Sequence, residues 1–131
     1  MFSFFYNKNS KNMKPNNVTI KTVRAYNQVI KLKINETIQL ENTDVLITLR
    51  GVSRTFPAVG SEITKADFYI ASEKLRADKE VTLALFKNKD MNDGKVAISD
   101  QYMIGDGYGI KLMSADPSAQ AADIMLIFNV F

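Results

Sequence analysis

Carboxylates, amines and tyrosine hydroxyls are the main groups available for chemistry in this chain of 131 residues, because it contains neither His nor Cys. The chain therefore has no Ser-His triad, no Cys nucleophile, no imidazole base and no zinc or copper site of the usual kinds. Two carboxylates facing across a cleft at ~5–9.5 Å could hydrolyse a glycosidic bond, but most of the acids fall in predicted turns. We therefore expect no enzymatic activity, with a carboxylate-based hydrolase as the alternative.

A calcium-binding loop is the other chemistry that the acids suggest, around Asn92-Asp93-Gly94. An EF-hand loop needs oxygen ligands at its first, third and fifth positions and Gly at the sixth. With Gly94 as the sixth position, the others fall on Lys89, Met91 and Asp93, so the pattern fails. The sequence predicts no metal and no other cofactor. The acids that could still meet in a loop site are Asp90, Asp93, Asp100 and Asp106.

Charge is distributed unevenly along the chain. Residues 1–35 hold seven basic residues and no acid, whereas the remainder holds ten basic and fourteen acidic residues, for a net charge of +3. Such a basic front is typical of a docking surface for an acidic partner, although a solvated tail and the polar faces of two strands would give the same pattern. The candidate binding residues are Lys21, Arg24, Tyr26, Lys31 and Lys33.

These features favour a non-catalytic protein-binding module, such as a bacterial inhibitor or immunity-type protein that acts by surface complementarity on an acidic protein. The alternative is a nucleic-acid or anionic-surface binder, because single-strand binders combine a basic groove with aromatic side chains. Against that alternative, the acidic body of the chain would repel a phosphate backbone.

The stretch around which the fold is predicted to form is the last one, 123–131. Read with the period of a strand, Ile124, Leu126, Phe128 and Val130 point one way, and mostly apolar side chains point the other. A strand that is apolar on both faces is expected to lie inside a sheet, covered on both sides.

Alternating apolar residues predict further strands along most of the chain. Ile30, Leu32 and Ile34 alternate with Lys31 and Lys33, which is the pattern of a half-exposed strand. Similar runs begin near residues 18, 37, 45, 81, 96 and 108, and the last strand closes the chain. Eight or nine short strands with at most one short helix predict an all-β fold, a two-sheet antiparallel β-sandwich.

Turns and loops separate these strands. We predict turns at 41–44, at 92–94 and at 105–107, and a long loop over 53–64 with Pro57 and Gly60. Residues 65–77 fit either a helix, with Thr64 and Asp67 as a capping box, or a strand over 65–72, which the neighbouring strands favour. Asp116-Pro117 could begin one short helical turn through Ala122.

The chain is predicted to form one domain over 18–131, preceded by a basic arm, 1–17, whose first six residues include four aromatic ones. Its start does not resemble a signal peptide, since the apolar run is short and precedes the charges. No apolar run approaches the ~20 residues that span a bilayer. We therefore expect a cytoplasmic location without a membrane span.

Overall fold

The fold is a β-sandwich, as the sequence predicted. The computed structural model describes residues 20–23, 28–88 and 91–128, and for residues 91–98 it describes the backbone alone. These residues form ten strands and no helix: β1 (Ile20–Val23), β2 (Gln28–Lys33), β3 (Thr37–Leu40), β4 (Leu46–Thr55), β5 (Ser61–Ser72), β6 (Ala77–Asn88), β7 (Met91–Ser99), β8 (Gln101–Gly105), β9 (Tyr108–Asp116) and β10 (Ala121–Phe128). In this part of the chain no helix could cross a membrane.

Two sheets make up the sandwich. The larger has the order β1-β3-β4-β5-β6-β7, and the smaller has the order β2-β10-β9-β8. All described neighbours are antiparallel except β1 and β3, which run parallel. The chain therefore changes sheets three times: between β1 and β2, between β2 and β3, and between β7 and β8.

The core lies between the two sheets and follows the period-two pattern of the sequence. Ile30 and Leu32 of β2 are buried, while Val29, Lys31 and Lys33 are exposed. Each buried aliphatic or aromatic side chain contributes roughly 1.5–3 kcal/mol to folding before ordering costs. The largest fully buried side chains are Leu32, Leu40, Val45, Ile47, Leu49, Phe68, Ile70, Ile110, Leu112, Ile124 and Leu126.

The terminal strand β10 lies between β2 and β9, in the interior of the smaller sheet. Ile124 and Leu126 are fully buried, but Met125 and Ile127 on the other face are only half-buried. The sequence predicted that both faces of this strand would be buried, but only the inner face is fully buried. Phe128 is half-buried, and its ring stacks on Tyr108 at a centroid distance of 4.6 Å. Val130 lies outside the described residues.

Several connections differ from those that the sequence predicted. The loop expected over 53–64 shrinks to 56–60, because β4 and β5 stay paired as far as Thr55 and Ile63. Residues 65–72 form part of β5, so the strand is correct and the helix is wrong. The reverse turn expected within 87–95 is present but displaced: the chain reverses between Asn88 and Met91, which pair, whereas β7 contains Asn92-Asp93-Gly94.

The other predicted turns are present. Asn42 has φ 63° in the 41–44 turn, and Asp106 has φ 55° between β8 and β9. After Asp116 the chain makes a turn at 117–120 instead of a helix, with the Gln120 amide donating to Pro117 O at 3.2 Å. The run that begins near residue 96 lies in β7, which ends at Ser99; the chain changes sheets at Asp100, and Tyr102 and Ile104 belong to β8.

Candidate functional site

The outer face of the smaller sheet carries two of the predicted binding residues. Because side chains alternate along a strand, burial of Ile30 and Leu32 places Lys31 and Lys33 on the outside of β2. The Lys31 side chain is 65% exposed. Both ammonium groups therefore lie at the surface, as the sequence predicted.

A polar row crosses this face over three strands. Lys31 pairs with Asp123 of β10, and Asp123 pairs with Ser114 of β9. The Asp123 carboxylate lies 3.5 Å from Lys31 Nζ and accepts a hydrogen bond of 2.7 Å from the Ser114 hydroxyl. Asp123, which is 92 residues away from Lys31 in sequence, thus holds the Lys31 side chain over the sheet and partly neutralises its charge.

Apolar side chains extend across the same face from one edge strand, β2, to the other, β8. Val29 of β2 pairs with Met125 of β10, and the next row of the sheet joins Ile127, Gly109 and Met103. Val29 is 54% exposed and Met103 is 39% exposed. We call this surface the Lys/Met face; its residues are Val29, Lys31, Lys33, Met103, Lys111, Met125 and Ile127.

Gly109 allows Met103 to lie flat on the Lys/Met face. A Cβ at Gly109 would come within 2.6 Å of Met103 Sδ and within 2.9 Å of Tyr102 O, both far inside ordinary contact. The absence of a side chain at residue 109 therefore brings the thioether onto the backbone of β9, next to Ile127.

Lysines outnumber acids slightly on and beside this face. Lys33 and Lys111 form no ion pair with any described residue, whereas Asp123 is engaged by Lys31. Asp116, at the end of β9, accepts a hydrogen bond of 2.9 Å from the Ser118 amide. The face therefore mixes apolar and basic side chains: Lys31 and Lys33 lie on the edge strand β2, and Lys111 lies on the inner strand β9 beside Met125.

Lys21, the one remaining predicted binding residue that the structure describes, does not lie on the Lys/Met face. Lys21 is exposed on β1 of the other sheet, but Lys21 and Lys31 line the same small cleft of about 90 Å³, together with Glu36. The fold thus brings Lys21 to the edge of the Lys/Met face rather than onto it. Arg24 and Tyr26 lie outside the described residues.

Several described carboxylates are occupied by hydrogen bonds within the fold. Asp67 accepts from the Thr82 hydroxyl at 2.6 Å, and Asp78 accepts from the Tyr69 hydroxyl. The Asp100 carboxylate, a candidate calcium ligand, accepts from the Ala84 amide at 3.0 Å. Among the described residues no three carboxylates lie close enough to hold a metal ion; Asp90 and the Asp93 side chain lie outside them.

Asp44 is the most constrained of these acids. It accepts hydrogen bonds from the Ser72 hydroxyl at 2.6 Å and from the Lys74 amide at 3.0 Å. Partial burial raises the pKa of Asp44, but these hydrogen bonds outweigh burial and hold the pKa below its usual 3.8. Asp44 therefore fixes the turn between β5 and β6 and stays ionised at neutral pH.

Sequence reasoning did not identify Asp123, Lys111 or the methionines as part of this surface. Lys111 lies between Ile110 and Leu112, so the period of two already indicated that it faces outward. The pairing of β2 with β10, which joins Lys31 to Asp123, had no signal in the sequence.

Comparison with protein-family models, with curated proteins and with solved structures finds no match. The surfaces of the fold are thus the basis for inferring a function.

Proposed function

We propose that the protein is a non-catalytic protein-binding module that docks an acidic partner on the Lys/Met face. The observation that carries this proposal is the exposure of Val29 and Met103, which lie on the two edge strands of the smaller sheet, on one face together with Lys31 and Lys33. Apolar side chains that are exposed together with charged ones on a single face are typical of interaction sites. Methionine is well suited to such a surface, because its flexible thioether adapts to the shape of a partner.

A protein fits this face better than a nucleic acid does. Single-stranded nucleic acids need aromatic side chains on which bases stack, and the described apolar side chains of the face are Val, Met and Ile. Its few lysines, one of them shared with Asp123, would neutralise few phosphates. An acidic protein with an apolar patch matches both the lysines and the apolar side chains of the face.

A binding role also fits the described acids better than hydrolysis does. Asp44, Asp67, Asp78 and Asp100 each accept a hydrogen bond from another part of the fold. A carboxylate hydrolase instead needs two acids that both reach one substrate bond. We propose that the module acts by covering part of its partner, as an inhibitor or an immunity-type protein does.

The test is site-specific photo-crosslinking in an extract of the native host. A photoreactive phenylalanine analogue is placed at Val29, on the Lys/Met face, and in a second sample at Lys65, which is exposed on the opposite sheet. We expect a discrete adduct from residue 29 and none from residue 65. Mass spectrometry identifies the partner, which is then purified for binding measurements.

The purified partner allows the face itself to be tested. Lys31→Gln with Lys33→Gln should weaken binding about tenfold at low salt, and Lys65→Gln with Lys79→Gln should not change it. Equal binding by both variants, or crosslinking that is as strong from residue 65, would contradict the proposal.

A further inference from the structure

The loop between β4 and β5 exposes two large apolar side chains at one end of the molecule. Phe56 is 69% exposed and Val59 is 101% exposed, the highest values among the exposed large hydrophobic residues described. We call residues 56–60 the apolar tip. A single exposed apolar side chain is common at a protein surface. Two large ones on the same protruding loop are less common and do not help the chain to fold, so they indicate a contact with another molecule.

The apolar tip has a defined shape. The Ser61 amide donates to Ala58 O at 3.0 Å, which closes a turn over 58–61. Gly60 has φ 80°, the value that the third position of a type II turn requires, and this places Val59 at the outer corner. The Asn88 side-chain amide donates to the Ser61 hydroxyl at 2.8 Å and ties the base of the tip to β6.

A cleft of about 430 Å³ lies at the other end of the same strands. Leu46, Ala71 and Ala77 give it an apolar lining, and the Tyr69 ring, whose hydroxyl donates to Asp78, lies beside them. A cleft of this size accommodates a phenylalanine side chain together with a smaller apolar one. Its charged residues are Asp44, Glu73, Arg76 and Asp78.

The two features lie at opposite ends of one hairpin. Leu46 begins β4 and Phe56 follows its last residue, so at about 3.3 Å per residue they are roughly 30–35 Å apart. Their net charges are opposite, +1 at the base of the tip and −2 in the cleft. Arg54 and Lys87 flank Glu62 at the base of the tip, whereas the cleft has three acids and one arginine.

We propose that the apolar tip of one molecule inserts into the cleft of a second copy, so that the chains associate head to tail. Because tip and cleft are different surfaces on opposite ends, the contact is heterologous and can repeat along a row of molecules. This association goes beyond the proposed function and does not rest on it. The Lys/Met face belongs to the other sheet and stays free, so a row would present it repeatedly to a multivalent partner.

A second copy explains the apolar tip better than a lipid surface does. Insertion into an anionic bilayer is strengthened by cations that are free to meet headgroups. Here Arg54 Nε lies 3.4 Å from Glu62 and Lys87 Nζ lies 4.0 Å from the same carboxylate. The base of the tip is thus suited to a mixed-charge protein surface.

Sedimentation velocity on the full-length protein tests the proposal. Wild type should show a weight-average mass that rises with concentration up to ~1 mM, as expected for a small and weak interface. A tip variant, Phe56→Ser with Val59→Ser, and a cleft variant, Ala71→Arg, should each stay monomeric. An equimolar mixture of the two variants should form a dimer and nothing larger, because only one intact tip and one intact cleft can meet.

Matched controls separate this association from other causes. Val29→Ser makes the same apolar-to-polar change on the Lys/Met face and should associate like wild type. Ala77→Arg is a second cleft variant, used if Ala71→Arg lowers the melting temperature. A wild type that stays monomeric at ~1 mM, or a variant mixture that forms no dimer, would overturn the proposal. Binding of wild-type monomer to vesicles of phosphatidylserine and phosphatidylcholine that is lost in the tip variant would also overturn it, in favour of a membrane contact.

Discussion

The Asp100 carboxylate accepts a hydrogen bond of 3.0 Å from the backbone amide of Ala84, at the point where the chain leaves the larger sheet. The Asp100 amide in turn donates to Ala84 O at 3.0 Å, and Asp100 O accepts from the Leu112 amide of the smaller sheet at 3.0 Å. One residue therefore ties both sheets together where the chain crosses from β7 to β8.

Asp100→Ala should lower the free energy of unfolding by about 1 kcal/mol, because the Ala84 amide loses its charge-assisted partner at an exposed site. Asp100→Asn should cost less, since its side-chain oxygen can still accept. Urea melts measure both, and Glu80→Ala, the loss of an exposed acid on β6, serves as the control. A loss no larger than that of the control would mean that the carboxylate does not stabilise the crossing.

The two faces of the terminal strand should differ sharply in their contribution to stability. Leu126→Ala should cost about 2–5 kcal/mol, because Leu126 is fully buried between the sheets. Met125→Ala, on the half-exposed outer face, should cost about 1 kcal/mol. Denaturant melts compare the two variants directly. Equal losses of stability would contradict the assignment of Leu126 to the core and of Met125 to the outer face of β10.

Gly109→Ala should destabilise the protein by about 1–3 kcal/mol, since the new Cβ meets the rigid Tyr102 carbonyl and Met103. Gly51→Ala is the matched control, because its Cβ approaches only the Asp67 side chain, at 3.3 Å. Thermal melts should show a larger decrease in Tm for the first variant. A decrease no greater than that of the control would contradict the close packing of β8 on β9.

Acid should weaken the fold in part through Asp44. Its pKa is lower in the folded protein than the usual 3.8, so its stabilisation is complete above that value and is lost as pH falls through the folded pKa. Asp44→Asn should therefore reduce the free energy of unfolding at about pH 6 and have a smaller effect at about pH 2.5. Urea melts at the two pH values give this difference; an unchanged effect of the substitution would show that ionisation of Asp44 is not involved.

Removing the basic side chains should affect binding more than folding. Lys21→Gln, Lys31→Gln and Lys33→Gln together should change the free energy of unfolding by less than about 1 kcal/mol, because the three side chains are exposed. Association with the partner should slow chiefly at low salt, where screening is weak. Stopped-flow measurements at two ionic strengths check this, and equal rates for wild type and variant would mean that these lysines are merely solvated.

The sequence alone determined the fold class and the inner faces of the strands. Burial on one side of a sheet imposes a period of two, and that period is visible in Ile30 and Leu32 or in Ile124 and Leu126 without any knowledge of the partner strands. The outward direction of Lys31 and Lys33 follows from the same pattern. Asn92-Asp93-Gly94 shows the limit of local signals, because the chain reverses earlier, between Asn88 and Met91, and residues 92–94 lie in β7 at an irregularity of its register with β6.

Only the tertiary structure decided which strands lie side by side. Pairing of β2 with β10 joins residues about ninety positions apart, and it alone places Asp123 beside Lys31 and Met125 beside Val29. Likewise, the extent of β4 and β5 decides that Phe56 and Val59 project from a short tip instead of lying in a long loop. The alternation of side chains along a strand depends on local backbone geometry and is visible in the sequence. Which residues are neighbours across a sheet depends on the packing of the whole chain, and so the candidate sites could be identified only in the folded structure.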